Sequence, residues 1–252
     1  MSQETTLYED IIGKIVDYTG EAGGEIQRYI VVPSLLEMIG PLSGMNVLDL
    51  YCGAGYLARR MASLGASVTA VDNSEKLVSI AGEIDNRENH GIKYSVAEPS
   101  DIPIMDDSAF DVIVCNMGLM MSRDLTGTVA ELARLVKLGG RFVFSVLHPC
   151  FTMPDSCWIS DEDGKGLYKT VDRYFAEGWW SSDLAATIRS DNRKYKHRTL
   201  ARYINALSSR GFNVRRIIEP RPSPQTLTLK PHLDIYDRVP VAMVVEAVFP
   251  YL

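Results

Sequence analysis

The sequence predicts an α/β protein with a mostly parallel sheet, and three observations support this. Short apolar runs alternate with segments of helical spacing between residues 46 and 147. The apolar runs are continuous, which is typical of parallel strands that are buried on both faces. Gly53-Ala54-Gly55 joins the first run to an amphipathic segment, as at the opening of a nucleotide-type α/β unit. With 252 residues, 46% of them hydrophobic, the chain can build a sizeable core.

The first 44 residues have a helical pattern, and we predict a helical lid over residues 1–44. Apolar residues between positions 7 and 18 recur on one helix face. A second helix is expected over residues 25–39, where Pro33 either kinks it or begins its last part. Gly40-Pro41 then ends the helical region.

We predict the α/β core over residues 45–149. The expected strands cover residues 47–50, 67–71, 92–96, 111–115 and 141–147. The expected helices begin near residue 57, cover residues 75–84, and run from about residue 124 to residue 135. Asn73 or Ser74 can cap the second of these helices, and Ser122 or Asp124 the third. Gly139-Gly140 is expected to turn the chain into the fifth strand.

Residues 150–197 break this alternation and are predicted to form an inserted cap on the substrate side. The segment is too rich in tryptophan and tyrosine for a disordered spacer. Residues 198–252 are expected to complete the sheet with a helix ending before Gly211 and two strands, 212–218 and 239–248. Four prolines between positions 220 and 231 predict a long irregular loop between those strands.

The overall charge and the cysteine pattern predict a reduced, cytoplasmic protein. The formal net charge of −6 argues against nucleic acid as an obligatory partner. No apolar run approaches the roughly 20 residues that a membrane helix needs, and we expect no membrane partner. The four cysteines lack C-x-x-C spacing, which favours scattered thiols. His148, Cys150 and Cys157 match no zinc pattern, so no metal is predicted.

Five motifs occur in order along the predicted core: VLDLYCGAG at 47–55, the acid at Asp72, AEPSDIP at 97–103, FDVIVCN at 110–116 and LVKLGGRF at 135–142. Together they resemble the class I S-adenosylmethionine-dependent methyltransferases of the small-molecule type. The resemblance covers about residues 45–147. It implies a Rossmann-like class I methyltransferase fold: a mostly parallel seven-stranded sheet with an antiparallel last strand, helices on both faces, and here an inserted aromatic-rich cap.

The resemblance implies S-adenosyl-L-methionine as the cofactor, with S-adenosyl-L-homocysteine as the product. Asp72 matches the acid that holds the ribose hydroxyls, and Glu98 the acid that faces the adenine amino group. Tyr51 replaces a glycine common in the family, and Pro99 lacks the backbone N–H that often meets adenine. The implied cofactor-binding residues are Tyr18, Asp49, Tyr51, Gly53, Gly55, Asp72, Asn73, Glu98, Pro99, Asn116 and Met117.

The acceptor site is expected beyond the carboxyl ends of the strands, where open α/β sheets bind ligands. His148, after the fifth strand, is the first candidate for a general base, and His197 is the second. His148 could equally cap the strand end, and methyl transfer by positioning requires no base. The residues predicted to bind the substrate are Tyr8, Met120, Trp179, Trp180 and Arg198. The cap aromatics suit a lid over a small molecule, or they only pack the cap onto the sheet.

We therefore expect an S-adenosylmethionine-dependent methyltransferase (class EC 2.1.1) that acts on an O or N atom, or on a C atom, of a small molecule. An RNA methyltransferase that uses the basic segment 189–216 is the first alternative. The second is a cofactor-binding protein that transfers no methyl group. The sequence disfavours NAD, because Asp49 precedes the loop where a pyrophosphate would lie and Tyr51 replaces the first fingerprint glycine.

Overall fold

A computed structural model describes residues 24–103, 106–164, 166–181 and 194–250. Seven strands form one central sheet, and these are β1 (Asn46–Leu50), β2 (Ser67–Asp72), β3 (Lys93–Val96), β4 (Phe110–Asn116), β5 (Val136–Leu147), β10 (Asn213–Ile218) and β11 (Ala242–Val248). The strand order is β10-β11-β5-β4-β1-β2-β3. The last described strand, β11, runs antiparallel to β10 and β5, and the other pairings in this sheet are parallel. The predicted fold class is confirmed.

The described ranges contain seven α-helices, and these are α1 (Val32–Ile39), α2 (Tyr56–Ser63), α3 (Glu75–Glu88), α4 (Leu125–Leu135), α5 (Leu200–Ser208), α6 (Pro224–Leu229) and α7 (Ile235–Arg238). Ser74 caps α3 and Asp124 caps α4, each through its side-chain oxygen. Val47 and Leu48, which are neighbours in β1, belong to two different apolar clusters. The sheet is therefore buried on both faces, as its continuous apolar strands predict.

The fifth strand is longer than predicted. Its run from Val136 to Leu147 includes Gly139 and Gly140, which we expected to form a turn before it. Gly139 has a φ of 75°, and the register against β4 shifts in this region. The two glycines therefore lie in an irregular part of the strand, where the Gly139 amide donates to the Phe249 carbonyl at 2.7 Å.

The proline-rich segment between β10 and β11 is largely helical, so the predicted irregular loop is wrong. It contains α6, a 3₁₀ turn at Pro231–Asp234 and α7. Ser223 caps α6 by accepting from the Thr226 amide, and Pro224 occupies the first turn. Proline is compatible with a first helical turn because its missing N–H would have no partner there.

The N-terminal part of the described chain begins with a π-helical turn, Gln27–Val31, that continues directly into α1. Pro33 lies in the first turn of α1, so the helix begins again there rather than kinking. The predicted first helix, with Tyr8 and Tyr18, lies outside the described residues. Within the described ranges, no helix is long and apolar enough to cross a membrane.

The described parts of the insertion form two small antiparallel pairs. Strand β6 (Trp158–Ser160) pairs with β7 (Gly166–Lys169), and β8 (Gly178–Ser181) pairs with β9 (Lys194–His197). Strand β9 lies against a 3₁₀ turn at Leu119–Met121 that follows β4. The β8–β9 pair is thereby held at the carboxyl ends of the central strands.

Candidate functional site

The loop between β1 and α2 depends on two glycines with left-handed backbones. Gly53 has a φ of 56° and Gly55 a φ of 76°. A Cβ on Gly55 would lie 2.5 Å from the Tyr94 hydroxyl, so this position also requires a close approach. A Cβ on Gly53 would meet nothing within 4 Å. Space for a ligand therefore lies beside Gly53 and not beside Gly55.

Asp72, at the end of β2, is tied to this loop. Its two carboxylate oxygens accept from the backbone amides of Gly53 and Ser74, both at 2.9 Å. Burial raises the pKa of Asp72, and the backbone N–H donors oppose that rise. Each oxygen keeps a further acceptor position, which suits the vicinal hydroxyls of a ribose.

Asp49 is buried at the end of β1 with only 1% of its surface exposed. Its Oδ2 has no hydrogen-bond partner among the described residues. Burial, and then the charge of Asp72, raise the pKa of Asp49 to about 8. A cationic ligand would stabilise the ionised form of this carboxyl group.

Arg59, which was not predicted from the sequence, supports the loop from α2. Its guanidinium donates to the Ala54 carbonyl at 2.8 Å and contacts Glu88 at 3.2 Å. Only 5% of Arg59 is exposed. An arginine on the apolar side of a helix was the available signal in the sequence.

The predicted adenine side of the site is open to solvent. Asn73 donates to Glu98 at 3.1 Å, and Glu98 itself is exposed while Pro99 is buried. Val96 is 49% exposed beside them. The assignment of Glu98 to the adenine amine stays a prediction, supported by the contact between Glu98 and Asn73, the neighbour of Asp72.

A polar network organises the end of β4. Met117 has a φ of 55°, and its amide donates to the Ser145 carbonyl at 3.0 Å and to the Ser145 hydroxyl at 2.9 Å. The Ser145 hydroxyl donates to Asn116 Oδ1 at 2.7 Å, and Asn116 Nδ2 donates to Gln27 Oε1 at 3.4 Å. Neither Ser145 nor Gln27 was predicted from the sequence. Ser145 is the one polar residue in the apolar run FVFSVL, which was a usable signal.

The Tyr51 side chain packs against the turn after β4. Its backbone takes a φ of 56°, and a Cβ on Gly118 would lie only 2.3 Å from the Tyr51 Cβ. Cys115 is the other close neighbour of Gly118, at 2.9 Å from the same position. Tyr51 thus links the glycine loop to the turn after β4, and its backbone is the part that remains at the predicted cofactor site.

His148 has both ring nitrogens engaged within the protein. Nδ1 accepts from the Cys150 amide at 3.2 Å, which makes Nε2 the protonated nitrogen that donates to Glu219 at 2.8 Å. Burial lowers its pKa, although Glu219 opposes this effect. In this arrangement His148 fastens the end of β5, and neither nitrogen is available to take a proton from a substrate.

His197 lies on β9 and is also buried. Its Nε2 donates to the Tyr174 carbonyl at 2.7 Å, and Tyr174 in turn accepts from the Leu200 amide at 2.9 Å. Donation from Nε2 leaves the lone pair of the neutral ring on Nδ1. His197 therefore retains a basic nitrogen, unlike His148.

Arg198 is buried in the protein interior, with 3% of its surface exposed. Its guanidinium donates to the carbonyls of Leu119 and Ser122, and it lies 6.0 Å from the Tyr203 ring centroid. It holds the turn that contains Met120. A phosphate group in solvent cannot reach a guanidinium buried in this way.

A cavity of about 1200 Å³ lies between the insertion and the start of β11. Trp179 and Trp180 line it, as do Met153 and Tyr236. Trp179 is 45% exposed, whereas Trp180 packs edge-on against Tyr195 with 4.5 Å between ring centroids. The insertion is thus a cavity wall as well as a packing element. No group of residues that could hold a metal ion occurs in the described part of the chain.

The strand order reverses between β1 and β4, and the acid-flanked glycine loop lies at this switch point. This arrangement, with a final antiparallel strand, belongs to the class I S-adenosylmethionine-dependent methyltransferases. The residues fit that cofactor, because a buried carboxyl oxygen of Asp49 lacks a partner and open space lies beside Gly53. A family model described as a methyltransferase domain matches residues 48–144, from β1 into β5. The chain carries this domain, and its cofactor is S-adenosylmethionine.

Curated relatives match the same region. The chain is 38% identical over 108 residues to a ubiquinone biosynthesis O-methyltransferase of Thiobacillus denitrificans, covering 43% of this chain and 47% of the relative. A protein of the same name from Coxiella burnetii is 32% identical over 138 residues, covering 54% and 58% of the two chains. This chain thus spans about half the length of the curated relatives it matches.

Two solved structures match nearly the whole fold. An S-adenosylmethionine-dependent methyltransferase from Mesorhizobium loti has a TM-score of 0.76 and 27% identity, covering 89% of this chain and 98% of that one. A Listeria monocytogenes protein assigned to the same class has a TM-score of 0.73 and 29% identity, covering 87% and 96%. The similarity in fold therefore extends beyond the matched domain, into the insertion and the C-terminal strands.

Proposed function

We propose that the protein transfers the methyl group of S-adenosylmethionine to an oxygen atom of a small-molecule acceptor. The observation that carries this proposal is the pairing of the Asp72–Gly53 loop with a large aromatic-walled cavity at the same edge of the sheet. When bound, the cofactor supplies a methyl group on a sulfonium centre. The chain binds and orients both reactants and excludes water.

Two observations favour a small acceptor and an oxygen atom. The matched curated relatives are named O-methyltransferases, which supports oxygen over nitrogen or carbon. A cavity of about 1200 Å³ that is lined in part by tryptophans has room for a small molecule. The RNA alternative is weakened because Arg198, in its basic segment, is buried on backbone carbonyls.

His197 is the better of the two predicted bases. Its Nδ1 carries the lone pair, whereas both nitrogens of His148 are already engaged. For an acceptor that ionises readily, positioning alone suffices. We further propose a reducing, cytoplasmic setting, which is supported by four cysteines that are all free thiols.

The test is a transfer assay with the full chain and S-adenosylmethionine labelled on its methyl group. Catechols, phenols, carboxylic acids, amines and a transfer RNA mixture serve as acceptors, and His197→Asn and His148→Asn serve as paired variants. We expect label in a hydroxylated small molecule, with a larger loss of kcat for the His197 variant. Label in RNA with steep salt dependence would support the RNA alternative. Tight cofactor binding without turnover on any acceptor would support the binding-protein alternative.

A further inference from the structure

Of the two basic residues that line the cavity, Arg173 pairs with Asp155, whereas Lys169 on β7 has no acidic partner among the described residues. Its cross-strand neighbour on β6 is Trp158, and the Lys169 ammonium lies 5.7 Å from the Trp158 ring centroid. Burial lowers the pKa of Lys169, with no carboxylate to offset the lost hydration. A partly desolvated ammonium group without a counter-ion is a binding position for an anion.

The other charged groups around the cavity are already engaged. Arg173 pairs with Asp155 at 2.8 Å, and both are solvent-exposed. Glu177 accepts from the Thr199 amide at 3.1 Å and from its hydroxyl at 3.3 Å, at the N-terminus of α5. A carboxylate at a helix N-terminus is stabilised by the helix dipole. Among the described lining residues, Lys169 is therefore the charged group left for a ligand.

The electrostatics of the cavity disfavour a cationic ligand. Tryptophan-walled cavities commonly bind cations through the ring faces. Here, however, Trp158 already has the Lys169 ammonium nearby and the Arg238 guanidinium at 5.2 Å from its ring centroid. The Arg238 guanidinium is fixed by donation to the carbonyls of Gly166 and Leu167. A further positive charge in this space would be repelled by both of these cations.

The cavity and the cofactor loop border the same apolar cluster. Trp180 lines the cavity and packs against the same apolar cluster as Met117, Met120 and Cys52. These three residues lie at the carboxyl ends of β4 and β1. Neighbouring strands are about 4.8 Å apart, and β11, whose start lines the cavity, is three positions from β1, so the two are separated by roughly 14 Å along this edge. A planar molecule of one or two rings with its substituents can cover much of that distance.

We propose that this cavity binds the methyl acceptor, and that the acceptor is a planar aromatic molecule whose anionic group, a carboxylate or a phosphate, pairs with Lys169 while its rings pack on the tryptophans. This inference rests on the proposed function, which it narrows to an anionic aromatic substrate class. It also assigns Lys169 and Trp158 as the residues that select that class.

The test compares a charged probe with its neutral isostere on the full chain. Calorimetry with 3,4-dihydroxybenzoate, 3,4-dihydroxybenzamide and phenyl phosphate is performed on the wild type, Lys169→Met, Lys169→Arg and the control Lys93→Met, in the presence of S-adenosylhomocysteine. We expect the wild type and Lys93→Met to bind at least one anionic probe tenfold or more tightly than the amide. Lys169→Met loses that preference without a change in S-adenosylhomocysteine affinity, and Lys169→Arg retains most of it. The relative affinities of the benzoate and the phosphate identify the anion.

Several results would overturn this inference. These are equal binding of benzoate and benzamide by the wild type, an unchanged preference in Lys169→Met, and no binding of either anionic probe. Methyl transfer to neutral phenols that Lys169→Met leaves intact would reject the anionic class while the proposed function stands. No methyl transfer to any acceptor would instead reject the proposed function.

Discussion

The amide of Gly53 donates a 2.9 Å hydrogen bond to the Asp72 carboxylate, which joins the glycine loop after β1 to the end of β2. The second Asp72 oxygen accepts from Ser74, the cap of α3. One side chain therefore fixes a loop, a strand end and the beginning of a helix. Because Asp72 holds the glycine loop that lies at the switch point of the sheet, cofactor binding should depend on it more than on any other residue.

Replacement of Asp72 by alanine should weaken S-adenosylhomocysteine binding by tenfold or more, which corresponds to about 1.4 kcal/mol. The change removes the acceptor for two backbone amides and the group assigned to the ribose hydroxyls. Asp72→Asn, which retains one acceptor oxygen, should lose less affinity. Calorimetric titration measures both, with the exposed Asp106→Ala as control. Wild-type affinity in Asp72→Ala would remove the basis of the cofactor-site assignment.

Gly118→Ala should destabilise the protein because the new Cβ would lie 2.3 Å from the Tyr51 Cβ. Either Tyr51 or the turn after β4 must move, at a cost of about 1–3 kcal/mol, typical of overpacking. Gly82→Ala is the matched control, because its Cβ meets nothing within 4 Å in the middle of α3 and should stabilise by about 0.5–1 kcal/mol. Urea unfolding measures both. Equal stabilities of the two variants would show that Tyr51 does not pack against Gly118.

The burial of His148 should produce a pH-dependent stability. Burial lowers the pKa of His148 below its ordinary value near 6.5. Below that pH the unfolded chain binds a proton that the folded chain does not, so the free energy of unfolding should fall as the pH falls. The slope from this residue reaches about 1.4 kcal/mol per pH unit.

The measurement is urea unfolding between pH 5 and 7.5 for the wild type and His148→Gln. Glutamine keeps an acceptor and a donor but does not titrate, so its curve should be flatter in this window. Parallel curves would contradict the lowered pKa of His148.

The motif residues were predictable from the sequence because each lies within a few positions of the strand end that places it. Asp49, Gly53 and Asp72 are of this kind. The partners of Asn116 and His148 were not predictable, because they come from distant parts of the chain: Gln27 is 89 residues from Asn116, and Glu219 is 71 residues from His148.

Helix α6 was missed for a different reason. Its prolines are typical of turns in a sequence. The hydrogen bond from the Thr226 amide to the Ser223 side chain, which shows that Pro224 begins a helix, is visible only in the structure. The arrangement of the cavity residues was equally hidden. Trp158 and Lys169 become neighbours through the pairing of β6 with β7, which no local pattern specifies.

Asp49 should couple cofactor binding to proton release. Burial and the charge of Asp72 raise its pKa to about 8, so most molecules of the unliganded protein hold a proton on Asp49 at pH 7. A folded-state pKa above the unfolded value of about 3.9 stabilises the unliganded protein at low pH, and that stabilisation is lost between about pH 4 and pH 8. The positive charges of S-adenosylmethionine favour the ionised carboxylate, which requires the proton to leave.

Calorimetric titration with S-adenosylmethionine at pH 7, in buffers of different ionisation enthalpy, counts that proton. We expect the wild type to release up to about one proton per cofactor bound, and fewer as the pH rises above 8. Asp49→Asn, which cannot titrate, should release fewer protons than the wild type and should bind the cofactor more weakly. Because the pKa of Asp72 is also raised, Asp72→Asn is the second control, and it should retain the larger part of the release. If Asp49→Asn released as many protons as the wild type, the proton would have to come from Asp72 or another group.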